Sequence, residues 1–165
     1  MKVVVAKDYR EICKLVSRIF AAQVTLKPDS VLGLATGSTP VGMYQELVQM
    51  YQEGRIDFSH VRTVNLDEYA GLSGDNDQSY RYFMNHNLFD HININKENTN
   101  VPNGTAADLQ AECERYEQVV ADMGGVDIQL LGIGNNGHIA FNEPCGEFPE
   151  KTHVVDLTQN TIEAN

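Results

Sequence analysis

The chain contains no tryptophan and only 12 lysines and arginines in 165 residues, against 23 aspartates and glutamates, for a formal charge of −11. That excess repels phosphate backbones and anionic lipid heads, and no stretch gathers enough basic side chains to counter it, so nucleic acid and membrane partners are not expected. Long hydrophobic runs are also missing. Nothing approaches the roughly 18 apolar residues of a membrane span. The run Val3-Val4-Val5-Ala6 is too short for a secretory core and is followed at once by Lys7 and Asp8, so no export signal is expected. The three cysteines, Cys13, Cys113 and Cys145, are odd in number and widely spaced, which fits a reducing cytoplasm better than a disulfide framework. Cys13 and Cys113 stand among helix-spaced apolar residues and read as small buried hydrophobes. Cys145 sits in a loop with no local basic partner to activate it. His60, His86, His91 and His153 show no metal-ligand spacing, so no metal is expected. No linker-like tract of Pro, Gly and Ser and no repeat divides the chain. Residues 1–165 are therefore expected to form a single domain, long enough to bury close to 70% of its unfolded surface without a staple.

Short β-rich runs alternate with longer helical patterns. Lys2–Ala6 reads as a strand, followed by Ile12, Leu15, Val16, Ile19 and Phe20 at helix spacing, then a strand over Val31–Ala35. A helix through Met43, Leu47 and Met50 stops at Gly54. A strand over Arg62–Leu66, a helix around Ser79–Leu88, an extended piece near Asn100–Pro102, a helix from Thr105 to about Met123 and a strand over Asp127–Gly132 follow. The alternation predicts a three-layer α/β fold: a mostly parallel, Rossmann-like sheet with helices on both faces and ligands bound beyond the carboxyl ends of the strands. A new helical pattern opens at Thr158 with only about two turns before Asn165, short for a helix of a compact domain, which suggests a fragment of a longer chain.

Three stretches carry chemistry. Thr36-Gly37-Ser38-Thr39-Pro40 follows a strand and enters a helix, where free N–H groups, hydroxyls and the positive helix end suit a phosphate. Standing alone, it reads sooner as an ordinary capped βα turn than as a phosphate site. It lacks the spacing and Lys of a Walker loop, and no Lys or Arg occurs between Val31 and Gly54. Asn65-Leu66-Asp67-Glu68-Tyr69 delivers two adjacent carboxylates to a strand end. One in a partly desolvated cleft would have its pKa raised toward the range of a general base, whereas the alternative is a solvated loop or a helix cap. The residues leave open which of Asp67 and Glu68 faces inward. The third, Leu131-Gly132-Ile133-Gly134-Asn135-Asn136-Gly137-His138-Ile139-Ala140-Phe141-Asn142-Glu143-Pro144, presents His138 from a glycine-constrained turn, with Glu143 placed to fold back on the ring. Its G-x-G-x-x-G spacing comes late and leads into a loop instead of a helix, so dinucleotide binding is not expected.

In order and spacing, these three stretches resemble the signature of the glucosamine-6-phosphate deaminase family over the whole chain. The Phe141-Asn142-Glu143-Pro144 continuation is the most specific part, because the related lactone hydrolases share the Gly-rich turn and the Gly-His pair without it. The resemblance implies conversion of glucosamine 6-phosphate to fructose 6-phosphate and ammonia in amino sugar metabolism, without a redox or metal cofactor. It assigns Asp67 as the base that moves the C2 proton, and His138, oriented by Glu143, as the group that opens the ring. It places the substrate phosphate on Thr36, Gly37, Ser38 and Thr39. Asn136 stands where some members carry Asp; an amide accepts no proton there, which leaves it a hydrogen-bonding role in ring opening. Gly146, His153, Val155 and Asp156 depart from the pattern of members activated by N-acetylglucosamine 6-phosphate, so that activation does not carry over. Homo-oligomer formation stays open. Family members continue past Asn165 and supply an Arg and a Lys for the phosphate, so the isolated chain is expected to bind weakly. A lactone hydrolase and a non-catalytic sugar-phosphate sensor are the competing readings; the first would not need Asp67, and the second could dispense with His138 or Glu143.

Overall fold

Among the described residues, the sheet has four parallel strands in the order β3-β2-β1-β4, with β1 over Val31–Leu34, β2 over Arg62–Asn65, β3 over Thr99–Asn100 and β4 over Ile128–Gln129. The computed structural model describes residues 1–134, 136–143, 145–147, 149–159 and 161. All four residues of β1 are buried, as the central strand of a parallel sheet requires. Gly33 in its middle has no side chain because the Gln129 side chain of β4 occupies that space. Helices α1 (Tyr9–Leu26), α2 (Val41–Gln52) and α3 (Tyr80–Asn87) pack in sequence against one another. The crossovers β1-α2-β2 and β2-α3-β3 run in one direction across the sheet. The crossover through α4 (Leu109–Asp122) returns past β1 to β4, so right-handed connection puts α4 on the opposite face. This is the expected three-layer α/β architecture. The reversal beside β1 opens a crevice at the carboxyl ends of the strands.

Local signals set the helix ends. Asp8 caps α1 by accepting the Glu11 N–H (2.8 Å), while Glu11 reaches back to the Lys7 N–H (2.7 Å). Cys13, Ser17, Phe20 and Val24 then recur on the buried face of α1. The fourth helix begins at Leu109 and not at Thr105, because Asn103 folds residues 103–106 into a turn through the Thr105 N–H (3.1 Å) and Asp108 takes the cap. The main core gathers Leu34, Tyr44, Leu47, Phe58, Val61 and Phe89, all 0–1% exposed; each large apolar side chain so buried contributes roughly 1.5–3 kcal/mol.

The expected strand over Lys2–Ala6 does not form. Val3, Val4 and Val5 are 73%, 59% and 91% exposed, and among the described residues no strand lies beside them. β-Branched residues favour a strand only when a neighbour takes their backbone hydrogen bonds and packs their side chains. Asn135, Pro144 and Phe148, together with most of the helix expected from Thr158 to Asn165, lie outside the described residues. Among those described, no helix is long and apolar enough to cross a membrane.

Beyond their last pairs, β2 and β3 part, and Tyr116 of α4 fills the gap. Its hydroxyl accepts the Asn65 N–H (3.1 Å) and faces the carbonyls of Asn65 (2.8 Å) and Asn100 (3.1 Å). Burial pushes this phenol's pKa well above the ordinary tyrosine value. Replacing Tyr116 by Phe orphans a buried N–H, and urea denaturation should register a loss of about 1–3 kcal/mol.

Candidate active site

The turn 36–40 leaves β1 and enters α2, with Gly37 at φ 93°. Only glycine adopts that left-handed geometry without strain, and it exposes the backbone at the helix entrance. The cap residue of α2 is Pro40, which makes no side-chain cap. Two tyrosines brace the turn. Tyr44, fully buried on α2, donates to the Ala35 carbonyl (2.5 Å). Tyr9 of α1 donates to the Thr39 carbonyl (2.9 Å) and accepts the Gly42 N–H (3.0 Å). A side chain at Gly42 would strike Tyr9 and Cys13. Sequence reasoning missed both tyrosines; Tyr9 lies about thirty residues from the turn it holds, and no local pattern marks that contact. Gly37 and Ser38 line a cleft of about 580 Å³ with Tyr69, Leu72, Ser79 and Tyr80.

Asp67 and Glu68, which the residues alone do not distinguish, take different directions. Glu68 turns to α3: its Oε1 accepts the N–H groups of Tyr69 and Tyr80 (both 2.9 Å), and its Oε2 accepts that of Arg81 (2.9 Å). Both carboxylates border a second cleft of about 390 Å³, in which Asp67 meets Ala140, Phe141 and Asn142 without a helix end to hold it. Burial, reinforced by the Glu68 charge, pushes the Asp67 carboxyl up to about 7, against a smaller opposing effect of the Phe141 N–H it accepts. The two clefts share Tyr69 and Leu157 as lining. Rings of Tyr69, Tyr80 and Phe141 pack at centroid separations of 4.9, 5.1 and 5.5 Å beside the carboxyl. The spacing of Tyr80, Tyr82 and Phe83 reads in sequence as core; in the fold, Tyr80 lines the cleft of Gly37 and Ser38 while its ring stacks on Phe141 of the other cleft.

The loop after β4 brings Asn136, His138 and Glu143 together, in an order that differs from the expected one. Glu143 does not touch the ring. Its Oε2 accepts from Asn136 Nδ2 (3.0 Å), and Asn136 Oδ1 faces His138 Nδ1 (2.7 Å) and accepts the His138 N–H (3.1 Å). An ionised carboxylate accepts only, which sets the amide orientation. The amide oxygen then requires a proton on Nδ1, leaving Nε2 as the basic nitrogen. Glu143 Oε1 in turn accepts the Thr158 N–H and hydroxyl (both 3.1 Å), and hydrogen bonds from Thr161, Thr158 and Asn136 hold its pKa below the usual carboxylate range. The imidazole packs over Gly134, where a Cβ would collide with it. Ala140 adopts φ 53° in the tight turn 139–142, closed by the Asn142 N–H on the Ile139 carbonyl (3.1 Å). A non-glycine residue held there costs about 1–2 kcal/mol, and the next amide, that of Phe141, is the one that meets Asp67. Asp67 thus faces the loop that carries His138 across one cleft. Among the described residues, no group of three His, Cys, Asp or Glu side chains could hold a metal ion.

Fold and clefts together place the chain among the doubly wound α/β proteins that receive small ligands above their strand ends. More narrowly, residues 6–160 match the glucosamine-6-phosphate isomerases/6-phosphogluconolactonases, and the chain belongs to that family. It is 58% identical over 165 residues to the glucosamine-6-phosphate deaminase of Clostridium perfringens strain 13, covering all of this chain and 68% of that protein. A solved structure of a monomeric glucosamine-6-phosphate deaminase superposes with a TM-score of 0.98 at 51% identity, again over 100% of this chain and 68% of the other. The 6-phosphogluconolactonase of Thermotoga maritima, at 21% identity, a TM-score of 0.67 and coverage of 84% and 62%, shares the fold. The chain spans about two thirds of the length of these relatives.

A native carboxyl that holds its proton up to about pH 7, against an ordinary value of 3.8, destabilises the fold as it ionises. The native state binds more protons than the unfolded chain between those values, so stability falls as pH rises through that window. Asp67→Asn removes this cost. Thermal melts should show the variant more stable than the parent at pH 8 by about 1–2 kcal/mol, discounted because Asp67 keeps part of its surface in water, with the gain vanishing near pH 4.

Proposed function

We propose that this protein converts glucosamine 6-phosphate and water to fructose 6-phosphate and ammonia. The observation that carries the reading is the placement of Asp67 in one cleft with Ala140, Phe141 and Asn142 of the loop that carries His138, a cleft that shares Tyr69 and Leu157 with the one lined by Gly37 and Ser38. The identity to named deaminases supports the same reaction. The phosphate sits on Thr36, Gly37, Ser38 and Thr39, which fixes the sugar over the second cleft. His138, oriented through Asn136 by Glu143, moves the proton that opens the pyranose ring through its free Nε2. Ring opening exposes a C1 aldehyde and so acidifies C2–H. Asp67 takes the C2 proton, and C1 becomes part of an enolamine. Returning the proton to C1 leaves an imine at C2; water adds, and ammonia departs. A carboxyl whose pKa lies near the working pH suits both halves of this transfer. The substrate is a small intracellular metabolite, and the reading includes a cytoplasmic location.

The decisive assay measures ammonia and fructose 6-phosphate formed from glucosamine 6-phosphate, on the chain as it stands and on the chain joined to the carboxy-terminal third of a relative. Weak turnover by the first and strong turnover by the second are expected; no ammonia from either rejects the reading. Exchange of the C2 hydrogen with solvent should rise as pH increases through about 7. Asp67→Asn should slow it by about 10²- to 10⁴-fold, the usual worth of a positioned base. Undiminished lactone hydrolysis by that variant would favour the hydrolase instead.

A further inference from the structure

The reaction above gives no task to Glu68, although its carboxylate makes three backbone hydrogen bonds, two of them to residues 12 and 13 positions away. We infer that Glu68 is a positioning residue for Asp67: by holding the amino end of α3 against the 66–69 loop, it seats Tyr80 against Phe141 and Tyr69 and sets its own charge beside the Asp67 carboxyl. The inference rests on Asp67 as the base. Ser79 already caps α3 through the Tyr82 N–H (3.0 Å), so Glu68 takes further N–H groups of the same turn, those of Tyr80 and Arg81. A carboxylate fits there because the helix end is positive. The consequence runs through Tyr80. Its ring stacks on Phe141 and tilts against Tyr69, its hydroxyl meets that of Tyr69 (3.4 Å), and together these rings shield the carboxyl from water. The groups that face Asp67 electrostatically are Glu68 and Tyr80, with Tyr116 from α4 and the Phe141 N–H from the loop beyond β4. Of these, Glu68 alone is a carboxylate, and its charge and its hold on Tyr80 both favour the protonated form of Asp67.

The test follows the Asp67 side-chain carboxyl by carbon NMR during a pH titration of the whole chain, assigned by its loss in Asp67→Asn. In Glu68→Gln, which is nearly isosteric, the midpoint should fall by on the order of one pH unit, the size typical of one neighbouring charge. Tyr80→Ala, which keeps the Glu68 backbone bonds, should lower it through readmitted water. An unchanged midpoint in folded Glu68→Gln overturns the inference. Should that variant fail to fold, an unchanged midpoint in Tyr80→Ala does so alone. A role confined to general stability would lower the melting temperature and leave the midpoint in place. The titration needs no substrate, so a shifted midpoint in a protein that releases no ammonia would uphold the positioning role while rejecting the reaction.

Discussion

Parallel strands must separate at their carboxyl ends to make room for a ligand, and separation strips backbone groups of the partners that the ladder would have given them. In this protein tyrosine hydroxyls replace those partners. Tyr116 serves the ends of β2 and β3, Tyr44 the end of β1, and Tyr9 the turn that follows it. A buried amide without a partner costs about as much as the loss of a strong contact, so the loops at this rim hold their shape only while those hydroxyls are present. Each comes from a helix rather than from the loop it serves, which couples the packing of the three layers to the geometry of the clefts.

The same economy governs charge. The Asp67 carboxyl is kept out of water beside a second carboxylate, an arrangement that weakens the fold and raises its affinity for a proton. Glu143 is the converse: several donors converge on it and hold it ionised. Two acidic groups at one rim are driven apart in proton affinity by their surroundings, the pattern from which acid and base roles arise. The Asn136 amide transmits the second of these. Because it cannot itself titrate, it passes the Glu143 charge to the imidazole as an orientation and a tautomer.

Residues alone determined much of this. The alternation of β-rich and helical runs specified the α/β class, because the two periods bury different faces. The helix expected around Ser79–Leu88 forms with Ser79 as its cap. The three motif loops, each following a strand, had to meet at one rim, since parallel strands all point the same way. Tertiary structure decided what depends on distant neighbours. Lys2–Ala6 has strand-forming residues but, among the described residues, no neighbour to pair with. Asp67 and Glu68 are chemically alike, adjacent and on one cleft, and only the approach of α3 makes Glu68 a helix anchor and leaves Asp67 without one. Glu143 meets an amide instead of the ring because the turn at Gly137 sets Asn136 between them. Local pattern records a residue's preferences; which partner satisfies them is fixed only when segments far apart in the chain come into contact.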